Sequence, residues 1–138
     1  MPIDSSDSDG SCAVITGSIL IVEDDVDTRH ALRVRLEHSG YEVRDSDSRK
    51  SAWDAIREET PDLILLDLGL PDGDGASLLA RLTGDPETAA IPVIVVTANR
   101  FPATRARAFD LGASAFLEKP YCPGELLHCL EEQIDRVG

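Results

Sequence analysis

Ile19-Leu20-Ile21-Val22-Glu23-Asp24-Asp25 sets four large apolar residues directly against three carboxylates. Such a run, without polar alternation, suits a strand covered on both faces, as in a parallel sheet flanked by helices. The acids fall at the carboxyl end of that strand, where open α/β sheets keep their ligands. A dinucleotide-binding fold needs a glycine-rich turn at this point, because the backbone must approach a pyrophosphate closely. Three carboxylates would repel that group, so the nucleotide reading fails at the first strand.

Further along the chain, Leu63-Ile64-Leu65-Leu66 and Val93-Ile94-Val95-Val96 repeat the apolar run, and Tyr41-Glu42-Val43 and Ala115-Phe116-Leu117 are weaker versions of it. Helix-period segments alternate with these runs at residues 27–39, 48–59, 75–82, 102–111 and 123–137. The last has Leu126, Leu127, Leu130 and Ile134 at helical spacing, with Pro123 suited to its first turn. Gly40 and Gly112 fall where helices should stop and the chain turns into the next strand. Five successive βα units with right-handed crossovers make a flavodoxin-like (βα)5 doubly wound parallel sheet, strand order 2-1-3-4-5.

At 138 residues the chain fits one domain: a disordered leader over residues 1–17, dominated by Ser, Asp and Gly, and a folded unit over 18–138. No apolar run approaches the roughly 20 residues needed to span a bilayer, and the leader lacks the basic and apolar regions of a secretory signal. A cytoplasmic protein is expected. Cys12, Cys122 and Cys129 have no metal-ligand or redox spacing and read as reduced bystanders. The net charge of −13 argues against binding nucleic acid, whose affinity rests largely on phosphate neutralisation. It suits protein partners and a hard cation.

The strand ends carry the chemistry. The first ends in Glu23-Asp24, the third in Asp67, the fourth in Thr97 and the fifth at Lys119, so three acids, a hydroxyl and an ammonium should meet in one crevice. Clustered carboxylates repel one another unless a cation neutralises them. With oxygen ligands and no His or Cys nearby, that cation should be Mg2+. Asp67, central and followed by the turn Leu68-Gly69-Leu70-Pro71-Asp72-Gly73, can attack phosphorus as a nucleophile. Taken singly, Asp67 is a turn former, Thr97 a strand-end residue and Lys119 a solvated charge; the set makes the chemistry.

These segments, together with Val95-Val96-Thr97-Ala98 and Gly112-Ala113-Ser114-Ala115-Phe116-Leu117-Glu118-Lys119-Pro120, resemble the receiver domains of two-component response regulators over about residues 18–137. The resemblance implies that Asp67 is the phosphoacceptor and that Glu23, Asp24, Asp67 and the carbonyl of Gly69 hold Mg2+. Thr97, Ala98 and Lys119 would bind the phosphoryl group, and Thr97 and Phe116 would form the switch. The Lys119-Pro120 bond would be cis. Glu23 stands where Asp is commoner, and Phe116 where Tyr is frequent. The implied partners are a sensor histidine kinase or histidine phosphotransfer protein and a downstream effector. The protein would be a monomer or a phosphorylation-linked dimer, stand-alone or cut from a longer chain.

Two rivals are weighed against this. A phosphatase with an aspartyl nucleophile wants a second acid two residues on, where Gly69 stands. A pseudo-receiver, an interaction module that is not phosphorylated, would lack the acid pair, the acceptor or the lysine. The expected switch is therefore not an enzyme with an external substrate. Among lesser residues, Asp25 and Asp27 read as a helix cap and solvated acids, and Asp72 and Asp74 as turn formers. His30, His38 and His128 read as surface residues, and Trp53 as half-buried. Arg29, Arg33 and Arg35 read as a solvated helix face that doubles as a candidate partner site.

Overall fold

The computed structural model of the protein describes residues 17–70, 73–98 and 101–137. Along the chain run β1 (Ser18–Val22), α1 (Val26–His38), β2 (Glu42–Ser46), α2 (Arg49–Glu58), β3 (Leu63–Leu66), β4 (Gly69–Leu70) and β5 (Gly73–Asp74). Then come α3 (Gly75–Gly84), β6 (Val93–Thr97), α4 (Pro102–Asp110), β7 (Ala115–Glu118) and α5 (Pro123–Val137). The main sheet is parallel, in the order β2-β1-β3-β6-β7. With the small β4–β5 hairpin left out of the count, this is the expected 2-1-3-4-5.

The apolar runs are buried on both sides because successive side chains point to opposite faces. Leu20, Val22, Ile64, Leu66, Val93 and Val95 pack with Ala52, Ile56, Leu79, Leu82 and Ala108 from α2, α3 and α4. Ile19, Ile21, Leu63, Leu65, Ile94 and Val96 meet Leu32 and Leu36 of α1 and Leu126 and Leu130 of α5. These three strands therefore hold a helical layer on each face of one sheet.

Local boundaries follow side-chain chemistry. Asp25 caps α1, accepting from the Thr28 amide at 2.9 Å, and Ser48 caps α2 through the Ser51 amide. Gly40 and Gly112, at φ of 102° and 106°, make the turns out of α1 and α4. The structure departs from expectation in three places. β2 runs on to Ser46, beyond the Val43 at which the apolar run stops. α3 continues to Gly84. The segment after Asp67, read as a plain turn, is an antiparallel hairpin pairing Gly69 with Asp74 and Leu70 with Gly73. The leader through Thr16, Cys12 within it, and Asp72 lie outside the described residues.

Candidate functional site

Register builds the site. β1 and β3 pair so that Val22 lies opposite Leu66, which brings the next residues, Glu23 and Asp67, side by side. The Asp67 amide donates to the Val22 carbonyl at 3.0 Å. β6 and β7 pair Thr97 with Glu118, and the Lys119 amide then donates to the Thr97 carbonyl at 2.8 Å. Four strands thus end on one crevice.

Within it, ligand oxygens of Glu23, Asp24 and Asp67 lie within 4.8 Å of one another. The Lys119 ammonium sits between two of these acids, donating to Glu23 Oε1 at 2.6 Å and to Asp67 Oδ2 at 3.0 Å. The other oxygen of each is also held: Glu23 Oε2 accepts from the Asp25 amide at 3.2 Å, and Asp67 Oδ1 from the Gly69 amide at 2.9 Å. Asp24 faces solvent, Asp67 is half-buried, and Glu23 is 3% exposed. Burial pushes the Glu23 carboxyl above its ordinary value, and this outweighs the opposing pull of Lys119; the neighbouring Asp67 charge adds to the rise. Burial alone would lower the Lys119 ammonium, yet its bonds to Glu23 and Asp67 carry it above the usual lysine value.

The donor set is oxygen only, anionic and open on the Asp24 side, which fits a hard divalent cation and does not fit a soft one. Beside the acids, Gly69, Ala76, Thr97, Thr104 and Arg107 line a cavity of about 270 Å3 under α4. On the other side, Thr28, Ala31 and Arg35 of α1 with Ala98, Lys119 and Tyr121 line a second hollow of about 570 Å3.

The comparisons with known proteins agree with this geometry. A family model described as the response regulator receiver domain matches residues 19–131. The chain belongs to that family. The phosphate regulon transcriptional regulatory protein PhoB of Pseudomonas aeruginosa is 36% identical over 121 residues, which are 88% of this chain and 53% of PhoB. The KDP operon transcriptional regulatory protein KdpE of Escherichia coli is 39% identical over 109 residues, 79% of this chain and 47% of KdpE. The chain spans about half the length of these curated relatives. Among solved structures, a putative response regulator from Chloroflexus aurantiacus superposes with a TM-score of 0.84 at 32% identity, covering 88% of this chain and 99% of that one.

Within this receiver domain the remaining expected residues are placed as follows. Thr97 is buried at the end of β6, and Ala98 next to it is exposed. Phe116 is buried on β7, its ring centroid 6.3 Å from that of Phe109 on α4, with the Arg105 guanidinium over both rings. The Lys119-Pro120 peptide is cis. His30, His38 and His128 are exposed, and Trp53 is half-buried beneath the Arg81 guanidinium. Arg29 does not lie on a solvated face: its side chain turns inward to the Glu23 carbonyl.

Sequence reasoning starts a helix at Gly75 but gives the glycine no role of its own. A Cβ there would lie 2.7 Å from the Asp67 carbonyl oxygen and from the Leu68 Cα, so α3 can start against the Asp67 loop only with glycine. The Gly75 amide closes that contact by donating to the Leu68 carbonyl at 2.9 Å. A glycine eight residues after a strand-end acid was the only trace of it in the sequence.

Proposed function

We propose that this receiver domain accepts a phosphoryl group on Asp67 from the phosphohistidine of a sensor histidine kinase or phosphotransfer protein. The observation that carries the reading is the pairing of the three-acid cluster with Lys119, 3.0 Å from Asp67 Oδ2. Glu23, Asp24, Asp67 and the Gly69 carbonyl would hold Mg2+. Bound there, Mg2+ supplies positive charge against the acids and the peripheral oxygens of the phosphoryl group.

The residues of the chain divide the rest of the work. An oxygen of Asp67 attacks phosphorus as the phosphorus–nitrogen bond of the donor breaks, and the imidazole leaves with the electron pair. Lys119, already bridging Glu23 and Asp67, stays within reach of the new anion and offsets its charge. The Thr97 hydroxyl and the Ala98 amide donate to phosphoryl oxygens. Attack of water on phosphorus later breaks the bond to Asp67 and returns the carboxylate with inorganic phosphate. The domain in this way acts on itself, with no external substrate turned over.

Thr97 moving toward the phosphoryl group would free room under α4, where Phe116 is buried without a hydroxyl needing a partner. Phosphorylation would then shift an equilibrium of the α4–β7–α5 face toward the state a downstream effector binds. The hollow between α1 and the Lys119–Tyr121 segment suits the incoming donor protein. Such a donor places the protein's work in the cytoplasm.

Incubation with acetyl phosphate and Mg2+, read by intact mass, tests the proposal. One phosphoryl adduct is expected, absent from Asp67→Asn and absent when the metal is chelated. An adduct that persists in Asp67→Asn overturns the assignment.

A further inference from the structure

Arg29, in the first turns of α1, reaches back to the loop that carries the acid pair. Its Nη1 donates to the Glu23 carbonyl at 2.9 Å and lies 3.5 Å from the Asp24 carbonyl. Its Nε stands 3.9 Å from Asp45 Oδ1 on β2, and the other oxygen of Asp45 accepts from Arg33 Nη1 at 3.1 Å. The Arg29 side chain is only 19% exposed. One guanidinium therefore ties the backbone of both acids to α1 and to the neighbouring strand. A planar group with donors in a fixed fork suits that task, which a single ammonium can perform only in part.

We infer that Arg29 is a positioning residue for the cation site: it fixes the Glu23–Asp24 backbone so that both carboxylates point at the place a divalent ion occupies. The inference rests on the metal-dependent reading given above. Arg29 is a cation near a site for a cation, so through charge alone its removal would tighten metal binding. As a support for the ligand-bearing loop, its removal weakens binding. Residues that orient metal ligands typically contribute roughly 10–100-fold in affinity.

The test is calorimetric titration of the protein with Mg2+ alone, with unfolding midpoints measured in parallel without metal. Arg29→Ala should bind Mg2+ roughly tenfold more weakly, and Arg29→Lys, which keeps the charge and one donor, should fall between it and wild type. Equal or tighter binding by a folded Arg29→Ala protein overturns the inference. If Arg29→Ala does not fold, Arg29→Lys decides: weaker binding at unchanged charge supports positioning, and wild-type affinity overturns it. Wild-type protein that binds no Mg2+ overturns the metal-dependent reading itself, and the positioning role with it.

Discussion

A carboxylate with 3% of its surface exposed is costly to ionise, and Glu23 is held there by a lysine that also holds Asp67. Lys119 is shared between the two acids, so the cluster keeps an excess of negative charge around Asp24, its exposed member. The excess is what a divalent cation would neutralise. Asp24→Asn removes one charge at an exposed position with little change of shape, so the fold should survive it. Changes to residues that merely support metal ligands cost roughly 10–100-fold, and loss of a ligating carboxylate should cost no less. Titration with Mg2+ should show that drop while the metal-free unfolding midpoint falls no lower than that of wild type, since one repelling charge is gone; unchanged affinity would move the metal site elsewhere. Gly75 acts at the same scale through sterics. Gly75→Ala forces a methyl group against the Asp67–Leu68 backbone, and overpacking of this kind typically costs about 1–3 kcal/mol. Chemical denaturation should register the loss, and phosphorylation should slow because the same backbone carries Asp67. A variant as stable as wild type would show that the loop yields freely.

Elements differ in how plainly they were written in the sequence. β1, β3 and β6 are covered by helices on both faces, so each is an unbroken apolar run and could be read directly. β2 is an edge strand with half-buried Arg44 and Asp45 in its second half, and the apolar criterion lost it after Val43. The β4–β5 hairpin has two residues per strand, too few for any periodicity to show. That Glu23, Asp67 and Thr97 meet in one crevice was legible because the first two directly follow readable strands and Thr97 ends one; the inward turn of Arg29 was not, since basic helical residues usually face water. On α5, burial pushes the Cys129 thiol up, with Glu132 adding to the rise, whereas Cys122 before the helix is exposed. Thiolate is the reactive form, so a raised value delays reaction until higher pH. Iodoacetamide followed by peptide mapping should label Cys122 before Cys129 near pH 8. The Cys129 rate should keep rising beyond the ordinary thiol value of 9.0. Equal rates for the two thiols would contradict the packing of α5.

At the scale of the molecule, a parallel sheet delivers four strand ends to one edge, and the acids, hydroxyl and ammonium found there make the crevice. Among the described residues no helix is long and apolar enough to cross a membrane. The net charge of −13 opposes any polyanion, so this chain should give no salt-sensitive mobility shift with duplex DNA at moderate protein concentration. A shift that weakens with salt would contradict that. Relatives named as transcriptional regulators are about twice as long as the stretch this chain matches, and their names describe those whole proteins. The proposed function turns on one carboxylate, Asp67, and trapping the acyl phosphate expected there tests it. Protein treated with acetyl phosphate and Mg2+ is reduced with borohydride, which converts an aspartyl phosphate to homoserine, and is then mapped by peptide mass. Homoserine is expected at position 67 alone, and none when Mg2+ is withheld; homoserine at another aspartate, or none anywhere in fully folded protein, would overturn the assignment of Asp67.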